Sequence, residues 1–136
     1  VRALGVHIFA GGFSLGVERH FELLGHLERS AYGVRVWQHN RPSIPVHVDR
    51  AGKWGGPLWD REVSGGVDLV YGNPPCAAWS PTSVGYVRGT ASRWMEWARD
   101  VPRVARDVGA RAAVIESVRG AFRHGREFYR KLRDDH

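Results

Sequence analysis

Apolar positions along the chain fall into short runs separated by glycine turns and prolines. Ala3 to Phe9 is mostly apolar and runs into Ala10-Gly11-Gly12-Phe13-Ser14-Leu15-Gly16, which predicts a strand, a glycine turn and the start of a helix. Ser14 is the expected N-cap. Val17, Phe21, Leu24 and Leu27 recur at helical spacing and predict the buried face of a helix that ends before Gly33. Val34 to Trp37 reads as a second strand and Pro45 to Val48 as a third, ending at Asp49. Residues 50–66 contain five glycines, two tryptophans and a proline with neither period, and read as loop. Val67 to Tyr71 is again apolar and stops at Gly72 and Pro74-Pro75, the signature of a buried strand entering a rigid loop. Residues 81–91 read as loop, after which Trp94, Trp97, Ala98 and Val101 restore helical spacing, the two tryptophans as core packing. Pro102 is expected to divide this helix, with Asp100 capping a second segment that packs Val104, Ala105 and Val108. Ala112 to Ile115 predicts a strand ending at Glu116-Ser117-Val118, and Gly125 to Asp134 a helix whose apolar face is Phe128, Tyr129 and Leu132.

Strands alternating with helices predict an α/β fold in three layers, with a mostly parallel sheet and a site at its carboxyl edge. The 136 residues suit a single domain, residues 1–136, without linker or internal repeat. The formal charge of +6 changes this picture only by its placement. Residues 1–80 carry 8 basic and 7 acidic side chains, and residues 81–136 carry 12 and 7, so the second half is the better partner for a polyanion. Eighteen of the 20 basic residues are arginine, whose planar fork suits phosphate. No apolar run approaches the roughly 20 residues that span a bilayer, and the N-terminus lacks a signal-peptide pattern, which reads as a soluble, intracellular protein. One cysteine forms no internal disulfide and offers no paired metal spacing, so neither a metal nor a membrane is expected.

That cysteine is the first chemical candidate. Pro74 and Pro75 restrict the backbone leading to Cys76, as suits a nucleophile that must meet its target at one angle. The glycine turn allows close approach of a ligand to the backbone. The predicted second strand ends without the carboxylate that commonly takes ribose hydroxyls in such folds, leaving Asn40 or Gln38 as neutral substitutes. Asp49 is a candidate for an adenine amino group, Arg88 for a phosphate, and Glu116 stands at the carboxyl end of a predicted buried strand.

Three motifs in order resemble the DNA cytosine-5 methyltransferase family. Phe9-Ala10-Gly11-Gly12-Phe13-Ser14-Leu15-Gly16 resembles its S-adenosylmethionine turn, Asn73-Pro74-Pro75-Cys76 with Trp79-Ser80 its nucleophile loop, and Glu116-Ser117-Val118 its Glu-Asn-Val motif. The resemblance implies the Rossmann-like S-adenosylmethionine methyltransferase fold, incomplete, because it covers only the first part of a typical member and leaves no target-recognition segment. It further implies Cys76 as nucleophile and Glu116 as the group that stabilises the attacked ring. By the same resemblance Phe9, Ala10, Gly11, Gly12, Phe13, Asn40, Asp49, Asn73 and Pro74 would face S-adenosylmethionine. Pro75, Ser80, Arg88, Val118 and Arg119 would face a cytosine rotated out of DNA. Departures are His7 for an Asp, Asn73 for a Gly, Ala77 for a Gln and Ser117 for an Asn, with no Gln-x-Arg-x-Arg segment. Two alternatives accompany this reading. Asn73-Pro74-Pro75 also resembles the motif of amino-methyltransferases, which places an aromatic residue where Cys76 stands. A truncated domain that binds cofactor, DNA or a complementary chain without turnover is the other.

Overall fold

Five short apolar segments pair as a parallel sheet. They are β1 (Arg2–Val6), β2 (Glu22–Glu28), β3 (Val46–Val48), β4 (Leu69–Gly72) and β5 (Ala112–Ile115), in the spatial order β3-β2-β1-β4-β5. The computed structural model describes residues 1–48, 57–82 and 95–134. Parallel neighbours require crossovers. These contain α1 (Ser14–Val17), α2 (Ala31–Asn40), α3 (Pro57–Val63) and α4 (Met95–Asp107), while α5 (Arg119–His124) and α6 (Arg126–Asp134) follow β5.

Alternate side chains of β1 and β4 enter opposite cores. Leu4, Val6 and Val70 pack with Val101, Val104 and Ala105 of α4 on one face of the sheet. Ala3 and Tyr71 pack with Ile8, Val17 and Trp37 of α2 on the other. A third cluster joins Ala78 and Trp79, from the segment after β4, to Met95 and Ala98 of α4, Ala121 of α5 and Phe128 of α6. It seats the Cys76 loop against three helices.

The expected α/β layers and the first, third, fourth and fifth strands are present, and five local expectations are corrected. Residues 22–28 form a strand where helical spacing was expected, and residues 31–40 form a helix where a strand was expected. β2 lies between β1 and β3, so Leu24 through Glu28 are all buried. Burial on both faces erases alternation and leaves a spacing that also fits a helix. Helix α2 is capped by Ser30, whose hydroxyl accepts from Gly33 N at 3.2 Å. Ser14 is no cap, because its hydroxyl hydrogen-bonds the Tyr71 hydroxyl at 2.8 Å. Burial pushes the Tyr71 phenol up to about 12, with the Ser14 hydroxyl opposing the rise, so it stays protonated. Part of the expected 50–66 loop is α3. Finally, α4 continues through Pro102, which sits inside the helix and is buried. Pro102 lacks one helical donor, and burial of Val101, Val104 and Ala105 against the sheet outweighs that loss.

Candidate functional site

Because every strand is parallel, the segments after β1, β2, β4 and β5 emerge at one edge of the sheet. Val6 pairs with Leu27 and Gly72, and Gly72 pairs with Ile115, so His7, Asn73 and Glu116 follow the last paired positions of neighbouring strands, beside Glu28 at the end of β2. Glu116 N donates to Gly72 O at 2.8 Å and extends the ladder by one bond. The Asn73 side-chain amide then donates to the Glu116 carboxylate. Two candidates separated by 43 residues are thus joined by strand register.

Cys76 follows three residues later, half-buried. Its carbonyl accepts from Trp79 N at 2.9 Å and Ser80 N at 3.1 Å, so the chain turns immediately after the thiol. Buried Trp79 anchors this turn, packing with Phe128 and Tyr129 at ring separations of 6.5 Å each. Gly120 in α5 is pressed against it. A Cβ at Gly120 would stand 2.0 Å from the Trp79 carbonyl oxygen, and one at Gly125 2.8 Å from the Trp79 ring. Tyr129 read as core packing in the sequence, yet it faces this site. Burial pushes its phenol up, the Ser117 and Trp79 side chains oppose that, and the charges of Cys76 and Glu116 add to the rise.

On the β1 side, the glycine turn begins with two non-glycine residues in the left-handed region, His7 at φ 56 and Phe9 at φ 55. Such conformations persist only where the surroundings enforce them. Here the enforcement is polar. Ile8 N donates to His26 Nε2 at 2.9 Å, and Phe9 N donates to Glu28 Oε2 at 2.9 Å. The other Glu28 oxygen accepts from Ser30 N at 2.8 Å. Glu28 is therefore the carboxylate at the end of the second strand, the residue the sequence reading found missing because β2 was read as helix. The signal that would have found it is Gly25, which disfavours a helix interior, followed by Ser30 as a cap. Asn40 ends α2 rather than a strand, and lines a groove with Ala10, Gly11 and Gly12.

His26 and Glu28 make this edge acid-sensitive. Burial holds the His26 imidazole below its ordinary 6.5, opposed by the neighbouring Glu28 carboxylate. Burial pushes Glu28 up, but the neighbouring His26 imidazole and the Ser30 and Phe9 N–H groups outweigh this and hold it below its ordinary 4.5. Both groups bind protons more readily when unfolded. Their contribution to stability is therefore fully present above pH 6.5, declines as His26 is forced to charge below that value, and falls again below pH 4.5 as Glu28 protonates. Urea unfolding from pH 8 to pH 4 is expected to show both declines, and His26→Gln to remove the upper one. A variant that keeps the upper decline would refute the assignment to His26.

Beneath the turn, Asp100 of α4 is buried and accepts from His7 Nε2 at 2.8 Å, Arg29 Nη2 at 2.7 Å and Arg103 Nη2 at 2.7 Å. Trp97 packs on the His7 ring at 4.8 Å, and the Arg29 guanidinium lies 5.8 Å from the Trp97 ring centre. This cluster ties the ends of β1 and β2 to α4. In the sequence Asp100 has the signature of a helix cap, and Arg29 carries no signal.

The remaining candidates divide between placed and undescribed residues. Phe9, Ala10, Gly11, Gly12 and Phe13 form the turn after β1, with Phe13 edge-on to Tyr71 at 5.4 Å. Pro74 is buried and Pro75 and Ser80 are half-buried in the Cys76 loop. Val118 precedes α5 and Arg119 begins it, and both line a cavity of about 730 Å³ beside Ala78, Trp79, Ser80 and Pro81. Asp49, Arg88 and Trp94 lie outside the described residues. Among the described residues, no group of three or more His, Cys, Asp or Glu side chains is placed to hold a metal ion, and no helix is long and apolar enough to cross a membrane.

No protein-family model and no curated protein matches the sequence. Solved structures match the fold. One is a protein assigned as a DNA modification methyltransferase encoded within a prophage (E. coli), with a TM-score of 0.70 and 17% identity, covering 99% of this chain and 36% of that one. Another is a mutant form of Spodoptera frugiperda DNMT2, with a TM-score of 0.61 and 14% identity, covering 99% of this chain and 40% of that one. The chain has the Rossmann-like α/β fold of part of these proteins and spans well under half the length of either.

Proposed function

We propose that this chain carries the nucleophile loop and cofactor turn of a DNA cytosine-5 methyltransferase, working on DNA inside the cell with S-adenosylmethionine as methyl donor. A complementary polypeptide segment would supply target recognition. The observation that carries this reading is the bond between the Asn73 amide and Glu116, which joins two motifs at adjacent strand ends, with Cys76 held on the rigid turn that follows. Asn73 is thereby engaged by a carboxylate, so the amino-methyltransferase alternative gains no support.

The residues fit an adenosyl cofactor. Glu28 ends β2 where doubly wound folds hold a ribose, and its Oε1 atom keeps acceptor capacity beyond the Ser30 N–H. Phe9 presents a ring that is 45% exposed at the same edge. Glu28 and Phe9 would hold the nucleoside, with Ala10 to Phe13 as its backbone wall. S-adenosylmethionine, when bound, supplies an electrophilic methyl group to carbon 5 of the base.

The chain's own residues prepare that carbon. The Cys76 thiolate adds to carbon 6 of an extrahelical cytosine, forming a C–S bond and moving electron density toward carbon 5 and N3. Glu116 meets N3 and the exocyclic amine and stabilises the charge that the addition places there. Loss of the carbon-5 proton and cleavage of the C–S bond then restore the aromatic ring and the thiolate.

A mechanism-based trap tests this sequence of steps. DNA carrying 5-fluorocytosine, mixed with the protein and labelled S-adenosylmethionine, is expected to form a complex that survives a denaturing gel, because fluorine is not eliminated as a proton is. The complex should vanish in Cys76→Ser, and its formation should slow by about 10²-fold or more in Glu116→Gln. Absence of any adduct, with cofactor binding intact by calorimetry, would favour the binding-only alternative. An adduct that persists in Cys76→Ser would overturn the reading.

A further inference from the structure

The cavity of about 730 Å³ beside the nucleophile loop has the size of a ligand site, and its chemistry is divided. Trp79, Ala78 and Val118 provide an apolar wall, and Arg119, Arg123 and His124 of α5 provide a basic one. Arg119 and Arg123 are four residues apart on one helix and stand on the same side of it. Among the described residues, neither is in an ion pair. Paired cations of this kind facing one cavity create a local positive potential. Ser80 and Pro81 also line it, and Ser80 is tied to the Cys76 turn by its N–H bond to the Cys76 carbonyl at 3.1 Å.

We infer that this cavity binds a backbone phosphate of the DNA strand that presents the target base, with the Arg119 and Arg123 guanidinium groups as donors and Trp79 and Pro81 as the surface on which the attached sugar rests. The inference rests on the proposed function and deepens it by assigning strand contacts to α5. A phosphate held here would fix the position of the strand relative to Cys76, because α5 and the Cys76 turn are in contact through Gly120. The geometry answers to any phosphate group, so DNA and free phosphate are separated by experiment.

The test is the salt dependence of binding to a fluorescein-labelled duplex that carries one extrahelical cytosine, read by anisotropy between about 50 and 200 mM salt. Arg123→Gln is expected to weaken binding several-fold, and to lower the slope of log affinity against log salt by about 1, the value for one lost phosphate contact. Arg123→Glu should weaken it further. Arg123 is exposed, so neither variant threatens the core. Inorganic pyrophosphate is titrated in parallel. Pyrophosphate binding that is lost in Arg123→Gln while the DNA slope is unchanged would overturn the inference in favour of a free-phosphate site. An unchanged slope with no pyrophosphate binding, or wild-type protein that does not bind the duplex, would overturn it outright. The 5-fluorocytosine trap judges the proposed function separately. A trapped adduct with an unchanged Arg123→Gln slope removes only the phosphate site. A slope change without an adduct keeps the site as a DNA contact and removes the chemistry.

Discussion

Asp100→Ala is expected to lower the stability of the fold by about 3–5 kcal/mol, the range for removing one partner of a buried ion cluster. The Asp100 carboxylate is the shared acceptor of the His7 imidazole and the Arg29 and Arg103 guanidinium groups, and it is only 3% exposed. Its removal leaves the buried His7 imidazole and the partly exposed Arg29 and Arg103 guanidinium groups at the junction of β1, β2 and α4 without that acceptor. Asp100→Asn keeps one acceptor oxygen and should cost less. Urea unfolding followed by circular dichroism checks both, and a loss of this size moves the midpoint by more than about 1 M. A midpoint shift within about 0.3 M for Asp100→Ala would refute the view that this cluster holds the edge of the sheet together. Because the cluster underlies the left-handed turn at His7 and Phe9, the proposed function predicts that S-adenosylmethionine affinity falls along with stability.

Gly120→Ala is expected to slow reaction at Cys76 by about 10²-fold, since displacement of a reacting group by about 1 Å has that scale. The added methyl group would lie 2.0 Å from the Trp79 carbonyl oxygen. Backbone is met there, not the end of a flexible side chain, so either α5 or the Cys76 turn must move. Two readouts report the movement. One is the rate of adduct formation with 5-fluorocytosine DNA, and the other is the rate at which a thiol reagent modifies Cys76, the only thiol in the chain. The second remains informative whether or not the methylation reading stands. Gly16→Ala is the control, because a Cβ there meets nothing within 4 Å and α1 accepts alanine. Equal reactivity in Gly120→Ala and wild type would show that α5 does not position the turn.

Parts of this site were legible in the sequence for identifiable reasons. The Val67 to Tyr71 run ends at glycine and paired prolines, and such punctuation survives any tertiary context because it acts through φ and through missing donors. That is why the Cys76 loop was placed correctly. Ala112 to Ile115 was equally plain as a strand, and with it the position of Glu116 at a strand end, although β5 is an exposed edge of the sheet where a buried strand was expected. Residues 22–40 were not legible. Strand β2 is covered on both faces, its apolar residues recur at intervals that also suit a helix, and the true helix after it carries only Val34 and Trp37 as large buried side chains. The misreading had a chemical consequence, because it concealed Glu28 and moved the search for a ribose acceptor to Asn40.

The sequence by itself determined the α/β class, the rigid approach to Cys76, the glycine turn and the concentration of arginine in the second half. Each follows from local properties, namely backbone restriction by proline, freedom at glycine, short-range periodicity and charge count. Only the tertiary structure decided that Glu116 meets Asn73, that Glu28 and His26 hold the turn at Ile8 and Phe9, and that Gly120 presses on Trp79. The physical reason is that these contacts join residues 18 to 43 positions apart through parallel strand register and close backbone approach. Neither leaves a periodic trace in the chain.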